Sequence, residues 1–269
     1  MLLRTEKLSK SFNGVYALSN INFEVEAGEV HGLVGENGAG KSTLIKMLTG
    51  VYSIDEGTVF WEDQPVKIPN PSQSWTLGIN VVHQDRTLIP TFDGVENAYL
   101  GREYPHKGMQ VDWKTMWETV EKTRDELGIE LDLSKMAIEL SPPQKTCLEI
   151  IRAMMNDCKL LILDEPTASL TDKESEILFD IIGKLKKKGT SVLYVSHRMD
   201  EIFRLTDRIT VFKNGSMVSC VKTSEVDKDK LVSMMTDEWK GSDIVHNTNF
   251  GKVLLEVQGI RTKDSVMKK

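Results

Sequence analysis

The sequence predicts an α/β protein built on a parallel sheet, and three observations carry that class. Continuous apolar runs, Leu160-Leu161-Ile162-Leu163 above all, have the composition of strands buried on both faces. They alternate with segments whose apolar residues recur every three or four positions, the pattern of helices laid against such a sheet. Finally, Gly35-Glu36-Asn37-Gly38-Ala39-Gly40-Lys41-Ser42-Thr43 matches G-x-x-x-x-G-K-[ST]. An apolar run, His31-Gly32-Leu33-Val34, precedes that loop, and the helix-compatible stretch 43–48 follows it.

Taken in order, the first 30 residues read as strands. Residues 21–26 alternate apolar and acidic with period two, and Ala27-Gly28 turns the chain into a buried strand at 30–34. A turn at Asp55-Glu56-Gly57 leads to a strand ending at Trp61, and 79–82 reads as another. From about 86 to 155 the character changes to helical. Residues 113–127 form one helix with Gly128 as its stop, and 144–156 a second, whose apolar face holds Leu148, Ile151, Met154 and Met155. The buried strand 160–163 follows, then a helix through Ile177, Leu178, Ile181, Ile182 and Leu185 that stops near Lys188-Gly189. A strand at 191–195, a short helix from Arg198 and strands around 209–212 and 217–221 complete the pattern. Residues 237–251 are polar and aperiodic, a linker, and 254–260 repeat the apolar spacing of 2–8.

Composition excludes several classes. The 269 residues include 34 Lys and Arg against 40 Asp and Glu, a net charge of −6 that opposes a dedicated nucleic-acid binder. Cys147, Cys158 and Cys220 form no C-x-x-C pair or metal spacing, which favours reduced thiols. Charge interrupts the first seven residues too early for a signal peptide, and no apolar run approaches the roughly 18 residues of a membrane helix.

Two stretches carry chemistry. In the 35–43 loop, glycines let backbone N–H groups surround phosphate oxygens while the following helix N-terminus adds partial positive charge. Lys41 would reach the β- and γ-phosphates and the Ser42 hydroxyl would ligate Mg²⁺. Asp164-Glu165 ends the buried strand, where an Asp can hold a magnesium shell without moving and a Glu can accept a proton from an attacking water.

Phe12 within Lys10-Ser11-Phe12-Asn13-Gly14, the 35–43 loop, Gln84 after Val81-Val82-His83, Leu140-Ser141, Leu163-Asp164-Glu165-Pro166-Thr167 and Ser196-His197 follow one another as in ATP-binding-cassette (ABC) ATPases. The chain resembles that family over about residues 1–240, and the runs 196–202 and 167–171 resemble its sugar-importer members. The resemblance implies a P-loop nucleoside-triphosphatase fold: a RecA-like core, an N-terminal antiparallel β subdomain, and an α-helical subdomain inserted at about 86–155. It implies ATP and Mg²⁺ as ligands. Lys41, Gln84, Glu165 and His197 are then the catalytic set, and Ser42, Gln84 and Asp164 face the metal. Phe12, Gly35, Asn37, Gly38, Ala39, Gly40, Lys41, Ser42 and Thr43 bind the nucleotide, with Ser141 and Gln144 meeting the nucleotide of a partner domain. His83 and His106 match no motif and are structural.

The sugar-importer likeness further implies two such domains in one chain, with 241–253 a linker and 254–269 the opening strand of the second. Its implied partners are transmembrane permease subunits, a second ABC ATPase domain and, indirectly, an extracytoplasmic solute-binding protein. No nucleic acid is implied, and the place is the cytoplasmic face of the membrane, held peripherally. Two departures stand out. Where the family has Leu-Ser-Gly-Gly-Gln, this chain has Leu140-Ser141-Pro142-Pro143-Gln144, and proline has no N–H to offer a phosphate. Thr171 stands where an Asp is usual, with Asp172 one residue late. A soluble ABC protein acting outside transport, and an ATP-binding half silent without its partner domain, are the alternatives.

Overall fold

Residues 1–84 and 87–236 are described by a computed structural model of the chain. The chain opens with β1 (Leu3–Phe12), β2 (Val15–Ile21), β3 (Glu24–Val25) and β4 (Val30–Val34), then α1 (Lys41–Leu48). Next come β5 (Glu56–Trp61), β6 (Gln64–Val66), α2 (Pro71–Leu77) and β7 (Ile79–Val82). The helical segment holds α3 (Gly94–Ala98), the hairpin β8 (His106–Lys107) and β9 (Gln110–Val111), α4 (Trp113–Leu127) and α5 (Pro142–Met154). The chain then alternates through β10 (Leu160–Asp164), α6 (Asp172–Lys187), β11 (Ser191–Val195), α7 (Met199–Leu205), β12 (Arg208–Lys213), β13 (Ser216–Lys222) and α8 (Lys228–Met235).

The central sheet runs β13-β12-β4-β11-β10-β7. Its inner pairings are parallel, and β13 joins the edge antiparallel. A second, antiparallel sheet runs β2-β1-β5-β6 with β3 also on β1. The two cores follow from strand alternation. Leu161 and Leu163 of β10, with Val192 and Tyr194 of β11, face the helical segment and pack with Val120, Leu148, Ile151 and Leu178. Leu160 and Ile162, with Leu193 and Val195, face the other way, onto α1 and the antiparallel sheet, among Leu44, Leu48, Leu8, Phe23 and Trp61. Each strand is apolar throughout because both faces are covered.

The helix expected at 113–127 is α4, ended by Gly128 at φ 61. Two expectations need correction. The strand expected over 21–26 is broken into the end of β2 and the two-residue β3. Side chains take the intervening bonds: Lys7 N–H donates to Asn22 Oδ1 at 2.9 Å, and Phe23 N–H donates to Thr5 Oγ1 at 2.8 Å. The helix expected over 144–156 is α5, which starts at Pro142 and ends at Met154. Both prolines fit its first turn because those N–H groups would have no intrahelical acceptor anyway. The proposed linker and the 254–260 repeat lie outside the described residues. All three cysteines are free, and burial pushes the thiols of Cys147 and Cys158 up to about 11 and about 12.

Candidate functional site

The 35–43 loop leaves the carboxyl end of β4 and enters α1 at Lys41, with Gly40 as the N-cap at φ 104. Only glycine is tolerated there. A Cβ on Gly40 would lie 2.4 Å from Leu18 Cδ2 and 2.8 Å from the Ala17 carbonyl oxygen. Gly35 is equally hemmed in, since its Cβ would meet the Phe212 carbonyl oxygen at 2.4 Å. The loop therefore wraps closely because neighbouring backbone leaves no room for side chains.

Asn37, Gly38, Ala39, Gly40, Lys41, Ser42 and Thr43 line a cavity of about 200 Å³ together with Ala17, Gln84, Asp164 and Glu165. Residues from four separate stretches of sequence thus meet, three of them at the carboxyl ends of β4, β7 and β10, where open α/β sheets bind ligands. Lys41 Nζ donates to the Gly35 carbonyl at 2.7 Å and to the Glu36 carbonyl at 3.0 Å. Burial lowers the Lys41 ammonium below its usual range, against the raising influence of Glu165 and Asp164. The Asp164 carboxyl is raised, first by burial and then by the Glu165 charge, with Lys41 and Lys46 opposing. Loop N–H groups, an ammonium, a hydroxyl, an amide and a carboxylate form a set suited to a phosphate chain with a hard divalent cation. Among the described residues no group of three His, Cys, Asp or Glu side chains could hold a metal, so such a cation would need phosphate and water oxygens as well.

Glu165 has φ 48, a left-handed conformation that costs a non-glycine residue of order 1–3 kcal/mol. Its N–H donates to the Val195 carbonyl at 2.9 Å and its carbonyl accepts from Ala168 N–H at 3.2 Å, which hold the backbone there. The side chain borders a second cavity of about 340 Å³, shared with Thr167, Ser196, His197 and Arg198. Across it, His197 Nδ1 lies 3.2 Å from Glu165 Oε1.

The other expected residues stand apart from the phosphate cavity. Phe12 is 41% exposed at the end of β1, its ring edge-on to Tyr52 with centroids 5.1 Å apart. Ser11 N–H, one residue earlier, donates to Asp55 Oδ2 at 2.8 Å, which anchors the strand end. Ser141 caps α5, and Gln144 Oε1 accepts from its N–H at 2.9 Å. Neither lines the phosphate cavity. Thr171 caps α6, and Asp172 is bound to Arg198. No sequence motif marks out a role for Arg198, Thr167 or Glu201. The readable signal was an acid four residues after His197, at the start of a short helix.

A glycine loop feeding a helix N-terminus, faced by two acids at the end of a parallel strand two places along the sheet, defines a P-loop nucleoside-triphosphatase fold. The ABC transporter family profile matches residues 18–168, more than half of the chain, which therefore belongs to that family. The chain is 40% identical over 260 residues to a galactose/methyl galactoside import ATP-binding protein of Sodalis glossinidius, covering 96% of this chain and 51% of that protein. It is 44% identical over 234 residues to an arabinose import ATP-binding protein of Rhizobium etli, covering 87% and 46%. It thus spans about half the length of the curated relatives it matches. Among solved structures, a nucleotide-free ATP-binding cassette from an ABC transporter superposes with a TM-score of 0.77 at 28% identity, over 88% of this chain and 99% of that one. A solved ADP conformation of an ABC-transporter ATP-binding cassette gives 0.75 at 28% identity, over 88% and 95%.

Proposed function

We propose that this chain is the ATP-binding and hydrolysing N-terminal half of an importer for sugars or related small solutes, coupling nucleotide-driven closure of two ATPase domains to a separate permease. The carrying observation is the convergence of the 37–43 loop, Gln84, Asp164 and Glu165 on one cavity. Relatives named for sugar import support the solute class. Their greater length supports the proposed division into an ATPase domain at 1–240, a linker at 241–253 and the opening strand of a second domain at 254–269. Permease subunits hold it at the cytoplasmic face of the membrane, and an extracytoplasmic solute-binding protein supplies the solute. No described helix is long and apolar enough to cross a membrane.

In this reading the loop N–H groups and Lys41 hold the β- and γ-phosphates, and Phe12 stacks on the adenine. Ser42 and Asp164, with Gln84 beside them, would hold Mg²⁺, which would supply positive charge against the phosphate oxygens. The Glu165 carboxylate accepts a hydrogen bond from water and then its proton as the water oxygen bonds to the γ-phosphorus. The bond to the β–γ bridging oxygen breaks, giving ADP and phosphate. His197, set against Glu165, keeps that carboxylate and the γ-phosphate in line. The test is ATP turnover and ATP binding by the full-length chain assembled with its permease. Glu165→Gln should bind ATP and release no phosphate, and normal turnover by that variant would remove this mechanism.

A further inference from the structure

Glu201 lies beneath the loops that carry Glu165 and His197 and is only 4% exposed. Its Oε2 accepts three hydroxyl hydrogen bonds: from Tyr194 at 2.7 Å, Thr167 at 2.8 Å and Ser196 at 3.1 Å. Its Oε1 lies 2.9 Å from Arg198 Nη1, an ion-pair contact too bent to be a hydrogen bond. Thr167, Tyr194 and Ser196 are themselves no more than 3% exposed. Burial first, and then the Glu201 carboxylate, push the Tyr194 hydroxyl upward, so it stays a donor.

The connectivity is what matters. Tyr194 lies in β11, directly opposite Leu163 of β10. Thr167 sits two residues past Glu165, in the loop leaving β10. Ser196 immediately precedes His197, in the loop leaving β11. One buried carboxylate oxygen therefore ties both loops to the floor of the sheet. The His197 side chain is 65% exposed, so surrounding packing does not fix it, whereas the Glu165 side chain is 18% exposed. Ser196 Oγ also accepts from Arg198 N–H at 3.0 Å, which fixes the backbone on the far side of His197.

We propose that Glu201 is the positioning residue of the hydrolytic pair: through Thr167 and Ser196 it sets the separation of Glu165 and His197. It touches neither nucleotide nor water. This inference rests on the ATPase reading above and deepens it. Because reaction geometry is steep in distance, releasing one loop should cost turnover and leave the phosphate loop, and hence ATP binding, intact. A buried polar group that served folding alone would instead lower stability and binding together.

The experiment uses the full-length chain assembled with its permease and reads phosphate release, binding of a fluorescent ATP analogue, and thermal midpoint. Glu201→Gln removes the charge and one acceptor oxygen at constant shape. It should lower kcat by about tenfold or more and change ATP affinity less than about twofold. Thr167→Val, which keeps shape and loses the hydroxyl, should reproduce the loss, and Thr167→Ser, which keeps the hydroxyl, should restore it. Ser196→Ala should add little to Glu201→Gln, since both release the same loop. Should Glu201→Gln prove too unstable to assemble, the Thr167 pair decides alone. Wild-type turnover by Glu201→Gln or Thr167→Val, beside an inactive Glu165→Gln, overturns the inference and leaves the ATPase reading standing. Parallel loss of ATP binding and kcat, or equal loss in Thr167→Val and Thr167→Ser, also overturns it. Undiminished turnover by Glu165→Gln would instead show that the ATPase reading itself had failed.

Discussion

His197 Nδ1 stands 3.2 Å from Glu165 Oε1, joining the ends of two adjacent parallel strands across a cavity open to solvent. Neither residue can be moved without the other losing a partner. Groups that act as a unit give non-additive losses. His197→Ala should lower turnover of the assembled complex about a hundredfold, and Glu165→Gln at least as far. The double variant should be no slower than Glu165→Gln. Phosphate release measured across the four proteins checks this, and losses that multiply would mean that the two residues act independently.

Two glycines with opposite surroundings make a paired prediction. Gly40 has φ 104 and no space for a Cβ, whereas Gly183 lies on the exposed face of α6 with nothing within 4 Å of a built Cβ. Gly40→Ala should abolish binding of an ATP analogue and lower the thermal midpoint, since left-handed strain alone costs about 1–2 kcal/mol before the clash with Ala17 and Leu18. Gly183→Ala should stabilise by up to about 1 kcal/mol through helix propensity. A midpoint rise of roughly 2–4 °C is the corresponding shift for a domain of this size. Calorimetry on both variants tests the pair, and a neutral Gly40→Ala would contradict the packing described.

The parallel sheet, α1, α4, α6 and the position of the glycine loop ahead of a helix were legible because continuous apolar strands and a glycine loop are local signals. The short helix from Arg198 was expected and is α7, but α2 and α3 were missed although their caps were present. Asn70 caps α2 ahead of Pro71, and Asp93 with Glu96 forms a capping box on α3. With only seven and five residues, those helices have too few turns for periodicity to register. The Glu201 cluster was legible only as one acid at the start of a short helix, for a different reason. Its four hydroxyl and carboxyl partners come from two strands' ends and one helix, and only strand order brings them together. The buried His31 was likewise read as part of an apolar run. It sits between strands with Nδ1 3.0 Å from Glu29 Oε1 and Nε2 2.8 Å from Thr210 Oγ1.

Pro142 and Pro143 occupy the first turn of α5, where a glycine pair would leave two backbone N–H groups free to meet a phosphate. This loop should therefore serve a partner domain's nucleotide poorly. In the full-length assembly Ser141→Ala should leave turnover unchanged, and replacing both prolines by glycine should not reduce it. The glycines should lower helix stability, because the fixed φ of proline preorganises the first turn. Abolition of turnover by either proline replacement would show that the loop is already competent as it stands.

Glu29 is the centre of a buried charge network that holds β4 to β12. Its Oε1 accepts from Glu26 N–H at 2.7 Å, and Arg208 Nε donates to its Oε2 at 3.1 Å. Burial alone would raise this carboxyl, but the hydrogen bond and charge of His31, the Glu26 N–H and Arg208 hold it below its usual range. A carboxyl depressed in the folded state adds stability above its unfolded value, about 4.3, and that contribution fades as pH falls through the lower folded value. Glu29→Gln should therefore destabilise at neutral pH, by about 3 kcal/mol because buried His31 and half-buried Arg208 are left with a weakened partner. The gap to wild type should narrow below about pH 4, as the wild-type carboxylate itself becomes protonated. Thermal midpoints from pH 3 to 7 test this, and two curves that stay parallel across that range would mean that the Glu29 charge does not stabilise the fold.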